Sequence, residues 1–332
     1  MHESLERLLV CPACHGPLHW KVSRSSGPEL EEGAATCDTC AATYPLHRGI
    51  AVFLSGSSRL EDLWGSANSR TEELVRNEPE KVQLLLESPM DTMNPTDLFF
   101  RGLILEGRGQ YQDAKAAHDR ALAGSYSAEQ HACVRSQIDF VKQEVTRSAS
   151  PVVDLASGMG TLLTVLLPGA RQHFVATDVS PQVLIRDQAV LGPLARAEGL
   201  SYLAFDSRHT PFADRSIPTM VTYVGLANIR DPGDLMKELR RVVSGGLLAI
   251  TPFYPEEPGP NADTIRQFKL DALMYRDSAL RQFREAGFKV RVENPQSVLA
   301  RPTPKGEILT GAGMDALPVV DSQVEWCTLV AT

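Results

Sequence analysis

Pro151-Val-Val-Asp154-Leu-Ala-Ser-Gly158-Met-Gly160 is an apolar run that ends in an acid, breaks at two glycines and leads into another apolar stretch, 161–167. Such a run, bounded by turn formers, reads as a buried strand followed by a helix. A glycine turn alone decides little; its sequel decides more. His173-Phe-Val-Ala-Thr-Asp178 is a second strand ending in a carboxylate, twenty-four residues after Asp154, the separation of one strand–helix–strand unit. Leu200-Ser-Tyr-Leu-Ala-Phe-Asp206 is a third strand with a terminal acid. Residues 217–224 and 247–253 supply a fourth and a fifth, separated by a helix over 231–243 that stops at Gly245-Gly246. This alternation predicts a doubly wound parallel α/β sheet with its ligand at the carboxyl ends of the strands.

The turn also narrows the ligand. A dinucleotide fold places a third glycine where the helix start closes on a pyrophosphate, and here that place is Leu163. A nucleoside with an amino-acid tail suits the turn better. Singly, Asp154 reads as a loop cap, Asp178 as a helix cap before Pro181 and Asp206 as a turn residue. Together, at the ends of successive strands, they read as one binding site.

The first 58 residues have a different chemistry. Cys11-Pro-Ala-Cys14 and Cys37-Asp-Thr-Cys40 are two Cys-x-x-Cys turns, each aiming a pair of thiolates at one point. Two such turns complete a tetrahedral zinc shell that leaves no open position, so the predicted metal is structural. A redox dithiol would need one pair at a helix start. His15 and His47 read as turn histidines, and Cys133 and Cys327 as small core residues.

Residues 59–149 show helical periodicity and little strand signal. Phe100 to Ala121 places Gly102, Gly109, Tyr111, Ala114 and Ala121 at the small-residue and aromatic positions of a tetratricopeptide helix pair. A single copy predicts an αα-hairpin, followed by a helix over 128–145, rather than a solenoid.

Composition excludes several classes. Of the 332 residues, 43% are hydrophobic and 22% charged, a globular balance. The net charge is -8, and residues 1–58 carry four Lys/Arg against six Asp/Glu, which disfavours RNA as a partner. No apolar stretch approaches the ~20 residues of a membrane helix. The opening MHESLERLLV lacks the pattern of a signal peptide, and the expectation is a cytoplasmic protein.

The strand and acid pattern of residues 150–292 resembles the class I S-adenosylmethionine-dependent methyltransferases, especially the branch related to quinone-biosynthesis C-methyltransferases. Asp154 to Gly160 stands for the acidic-x-Gly-x-Gly-x-Gly loop, with Ala156 at the first glycine. Ala156 suits the loop at negative φ and would narrow the approach to the cofactor tail. The resemblance implies that Asp178 binds the ribose, Val179 lies against the adenine, and Asp206, with Ser207 beside it, meets the adenine amino group. Thr210-Pro-Phe-Ala-Asp214, the helix and turn over 239–248, Glu285-Ala-Gly-Phe288-Lys-Val and a terminal strand over 324–331 complete the family's order. Pro218 replaces an Asp common in relatives and should alter only local hydrogen bonding. Cys37 to Leu54, with Tyr44-Pro45-Leu46 and Gly49-Ile50, is similar to the second half of zinc ribbons that precede many bacterial methyltransferase domains.

The implied architecture is a Rossmann-like, seven-stranded, doubly wound sheet (150–332, insertions 254–275 and 293–322), preceded by a zinc ribbon (1–58) and a helical region (59–149). Its cofactors would be S-adenosylmethionine and structural zinc. Catalytic candidates are Tyr223, near the end of the fourth strand, and His209, just after Asp206. A small-molecule acceptor is expected, with a protein partner conceivable through the ribbon or the helical region. The alternatives are a macromolecule methyltransferase reading rRNA or protein through the ribbon, and a non-catalytic cofactor-binding protein. Ribbon-bearing rRNA guanine methyltransferases commonly place a histidine where this chain has Cys40. Asn228 lacks the Asn-Pro-Pro-aromatic setting of enzymes that methylate planar amino groups.

Overall fold

The computed structural model describes residues 1–54, 63–196 and 199–332. The ribbon boundary expected at residue 58 lies outside the described residues. The first 54 residues give β1 (Leu18–Ser26), β2 (Glu29–Cys37), β3 (Thr43–His47) and β4 (Ile50–Phe53). Five helices follow: α1 (Leu63–Asn77), α2 (Pro79–Glu87), α3 (Pro95–Gly107), α4 (Tyr111–Ser125) and α5 (Ala128–Thr146). Then come β5 (Val152–Asp154), α6 (Thr161–Leu166), β6 (Phe174–Asp178), α7 (Pro181–Leu191), β7 (Leu200–Phe205), β8 (Ile217–Tyr223), α8 (Pro232–Val242) and β9 (Val243–Phe253). The chain ends with α9 (Pro260–Gln267), α10 (Asp271–Met274), α11 (Arg276–Glu285), β10 (Val290–Ala300) and β11 (Ser322–Ala331). No helix among the described residues is long and apolar enough to cross a membrane.

The strand order β7-β6-β5-β8-β9-β11-β10 contains the seven expected strands, parallel except for β11, which runs against β9 and β10. The count of seven needs correction, because the sheet has eleven strands among the described residues. β4 pairs in parallel with β7, matching Ile50 to Tyr202 and Phe53 to Phe205, so the ribbon continues the same sheet as β1-β2-β3-β4. The physical reason is the edge: without a neighbour, β7 would present a row of unpaired backbone groups. Phe53, Phe205, Phe212, Leu5, Leu9 and Leu46 lie in one buried core, so the ribbon has no separate interior. Val10 N–H donates to Pro211 O and Ala213 N–H to Leu8 O, tying the ribbon to the loop after Asp206.

Helices α5, α6 and α7 cover one face of the sheet, through Ile138, Val141, Leu162, Leu166 and Leu184. Helices α8 and α11 cover the other, through Leu235, Leu239, Leu280 and Phe283. The αα-hairpin forms as α3 and α4. Gly102 is required there, since a Cβ would lie 2.4 Å from the His118 ring. The segment after β10 docks on α3: Asp97 accepts from the amides of Glu307, Ile308 and Leu309 at 2.9–3.1 Å. At Pro218, which has no N–H to offer, the β8–β9 register shifts between Ile217 and Thr219.

Candidate functional site

β5 ends at Asp154 and the chain then turns through three left-handed residues, Ala156 (φ 54), Gly158 (φ 54) and Gly160 (φ 68). Ala156 therefore departs from the negative φ that would suit it, at a cost of about 1–3 kcal/mol. Side-chain and backbone bonds hold it there. Ser157 N–H donates to Thr177 O (2.7 Å), Thr177 Oγ1 to Asp154 O (2.8 Å) and Thr222 Oγ1 to Leu155 O (2.8 Å). A Cβ on Gly160 would lie 2.9 Å from Leu191 Cδ1, whereas one on Gly158 would meet only Ala156 O, at 3.8 Å. The loop is thus packed on its helix side and open at Gly158.

Asp154 is buried, and neither carboxylate oxygen has a hydrogen-bond partner among the described residues. Ser157 Oγ donates instead to the Asp154 backbone carbonyl (3.1 Å). Burial pushes the Asp154 carboxyl well above its ordinary range, and the charges of Asp187 and Asp178 push it further. Asp178, at the end of β6, accepts from Gly158 N–H (3.1 Å) and Ser180 N–H (2.9 Å), fastening the loop to the next strand. Val179 beside it is half-buried.

Asp206, at the end of β7, is held by Arg208. Burial would raise its carboxyl, but bonds from Arg208 Nε (3.0 Å), Nη2 (2.7 Å) and the backbone N–H (2.9 Å) hold it below the ordinary value. Arg208 also reaches Asp231 at 2.9 Å. Ser207 is half-buried.

A second arginine enters from α7. Arg186 donates to Gly158 O and pairs with Asp187 (3.1 Å) and with Glu106 of α3 (3.3 Å). Glu106 in turn meets His118 of α4 at 3.1 Å. A buried charge chain therefore runs from the helical hairpin to the glycine loop. Despite the pull of Arg186, burial pushes Asp187 up to about 7.

The four cysteine sulfurs lie within 4.8 Å of one another, with Cys11–Cys40 at 3.6 Å and Cys14–Cys37 at 3.5 Å. Tetrahedral zinc with Zn–S bonds of ~2.3 Å needs sulfur–sulfur separations of about 3.8 Å, so the donor set fits that ion. Both turns close alike: His15 and Ala41 are left-handed and donate backward to Cys11 O and Cys37 O.

Residues 153–250 match the family described as methyltransferase domain, and residues 4–49 the family described as Trm112p-like protein. The ubiquinone/menaquinone biosynthesis C-methyltransferase UbiE of Haemophilus ducreyi is 28% identical over 110 residues, 32% of this chain and 42% of that protein. The chain thus spans less than half the length of that relative. A UPF0434 protein of Methylobacillus flagellatus is 37% identical over 59 residues, 18% of this chain and 85% of that protein. Among solved structures, geranyl diphosphate C-methyltransferase of Streptomyces coelicolor is similar at 14% identity and a TM-score of 0.44, over 59% of this chain and 75% of that one.

The chain carries a methyltransferase domain over residues 153–250, and its N-terminal segment is a Trm112p-like ribbon with four clustered cysteines.

The two catalytic candidates sit in different surroundings. His209 is exposed on the loop after β7, and its backbone N–H donates to Asp206 O (2.8 Å). Tyr223 ends β8, stacked on Trp326 of β11 with ring centroids 6.3 Å apart. Burial, reinforced by Asp315 and Cys133, pushes the Tyr223 hydroxyl up to about 12. Two residues on, Gly225 packs on the glycine loop, where a Cβ would lie 3.0 Å from Ala156 Cβ.

Sequence reasoning missed Arg186, Arg208, Tyr126 and Asp315. Arg208 carried one readable signal, a guanidinium two residues after an acid at a strand end. The others are brought in by segments with no local motif.

Proposed function

We propose that this chain is a cytoplasmic enzyme that transfers the methyl group of S-adenosylmethionine to a small-molecule acceptor. The observation that carries the reading is Asp154, a buried carboxylate without a partner beside a turn left open at Gly158. Such a group needs a cation, and the amino-acid tail of this cofactor offers an ammonium. Asp178 would accept from the ribose hydroxyls while holding the Gly158 and Ser180 amides. Val179 would lie against the adenine. Asp206, with Ser207 alongside, would meet the adenine amino group while sharing its carboxylate with Arg208. Ala156, Gly158 and Gly160 bring backbone close to the tail.

The bound cofactor supplies an electrophilic methyl on a sulfonium, open to in-line displacement. The chain's part is alignment and exclusion of water. Residues 254–275 and 301–321 flank the end of β8, where Tyr254, Met274, Tyr275 and Val324 form a small apolar cluster with Trp326 against it. Cys11, Cys14, Cys37 and Cys40 would hold a structural zinc. The ribbon spends its β4 edge inside the chain, which supports a scaffolding role over recruitment of RNA or protein.

The experiment is tritiated methyl transfer into a fractionated lysate. Label is expected in the small-molecule fraction. Label on rRNA or on polypeptide would replace this reading with a macromolecular one, and cofactor binding with no transfer would leave a non-catalytic binding protein. NAD should not compete for the site.

A further inference from the structure

Beside the end of β8, one carboxylate lies among tyrosines from three separate segments, and a tryptophan stacks on one of them. Tyr126 follows α4, Tyr223 ends β8, Tyr254 follows β9 and Trp326 lies in β11. The carboxylate is Asp315, in the segment between β10 and β11, and Tyr126 Oη donates to its Oδ2 at 2.8 Å. Tyr223 and Tyr254 are near enough for its charge to push their hydroxyls up. Neither tyrosine hydroxyl has a hydrogen-bond partner among the described residues.

Asp315 forms no ion pair among the described residues. Lys305, the nearest lysine in its segment, packs on Gly313 instead. Burial pushes the Asp315 carboxyl up, and the Tyr126 hydroxyl alone opposes that. A half-buried carboxylate without a cation, set among aromatic side chains, is the complement of an ammonium group. A neutral or anionic acceptor would leave that charge uncompensated.

The position matters as much as the composition. Gly225, two residues past Tyr223, touches the glycine loop, so the ring cluster borders the space beside the cofactor's place.

We propose that Asp315, with Tyr126, Tyr223, Tyr254 and Trp326, binds a small cationic amine as the methyl acceptor. This rests on the methyltransferase reading above and names its substrate class. The Asp315 carboxylate pairs with the ammonium and takes one proton from it. The freed nitrogen lone pair attacks the sulfonium methyl. The new N–C bond forms as the C–S bond breaks, and S-adenosylhomocysteine leaves as a neutral thioether. The proton on Asp315 then passes to solvent, and the product is the N-methylated ammonium.

The test is calorimetric binding of three probes of similar shape to the full chain saturated with S-adenosylhomocysteine: benzylamine, benzyltrimethylammonium and benzyl alcohol. Both cations should bind at least about tenfold more tightly than the alcohol. Asp315→Asn should bring all three within about twofold, with S-adenosylhomocysteine affinity unchanged. If Asp315→Asn does not fold, Tyr126→Phe keeps the carboxylate but removes its one donor, and should alter amine affinity while sparing the alcohol. Equal binding of alcohol and amines, no binding of any probe, or a cation preference surviving Asp315→Asn would overturn the proposal. S-adenosylhomocysteine binding to the wild-type chain is measured first: its absence would sink the methyltransferase reading, and its presence with failed amine binding would sink the amine site alone.

Discussion

The proposed cofactor side and the proposed acceptor side are built from chain of very different reach. On the cofactor side Asp154, Asp178 and Asp206 end three adjacent strands, and the bonds from Asp178 and Thr177 that fasten the loop join residues twenty to twenty-three apart. On the acceptor side Tyr126 and Asp315, which share one hydrogen bond, are 189 residues apart. The first kind of site is inherited from strand–helix alternation. The second exists only because α5 packs against β10 and β11, and the segment after β10 is pinned to α3 by Asp97. A fold can therefore keep its cofactor side while the acceptor side is rebuilt by whatever is inserted.

The largest effect tests whether the cofactor side is as local as that. Cys11→Ser should open the metal shell and lower the melting temperature by about 10 °C. Because β4 pairs with β7 and Val10 bonds to Pro211, cofactor affinity should fall as well. Calorimetry on the variant decides; unchanged affinity would show that the loop after Asp206 holds without the ribbon. Elemental analysis of the wild type should find one zinc per chain.

Asp154→Asn isolates the carboxylate at the centre of the cofactor side. Affinity for S-adenosylmethionine should drop by about 3 kcal/mol, as expected when one partner of a buried charge pair is removed. Stability without cofactor should move the other way. The folded carboxyl binds its proton more tightly than the unfolded one, so the wild type loses stability as pH rises from the unfolded value, near 4, through the folded value. The asparagine lacks this loss. Melting curves of the two proteins should converge at low pH and separate toward neutrality, with the variant the more stable; parallel curves would mean that Asp154 is not strained by burial.

Glu106→Gln asks whether the helical hairpin reaches the cofactor. Weakening the pull on Arg186 should loosen its hold on Gly158 O and cost about 1 kcal/mol of cofactor affinity. Amine affinity at the acceptor side should not move. An equal loss on both sides would merge the two halves that the geometry separates.

The smallest effect belongs to the loop itself. Ala156→Gly removes the left-handed strain on an L-residue and should stabilise the chain by about 0.5–1 kcal/mol, read from denaturant midpoints. A destabilised glycine variant would mean that Ala156 Cβ, which packs toward Gly225, matters more than its φ.

Apolar runs ending in acids, glycines at a turn and paired cysteines each declare themselves within a few residues, because strand burial, left-handed turns and thiolate geometry are local requirements. From these the sequence alone determined the parallel sheet, the four sulfurs and the acids at the strand ends. It did not determine that the ribbon would share the sheet, since an unpaired edge on β7 and a free strand at β4 carry no mark of each other. Nor did it reveal the positive φ of Ala156, which is held by bonds from Ser157 in the loop itself and from Thr177 and Thr222 on neighbouring strands. Arg186, Tyr126 and Asp315 became visible only in the folded chain, where buried charges must find partners across contacts that no local periodicity encodes.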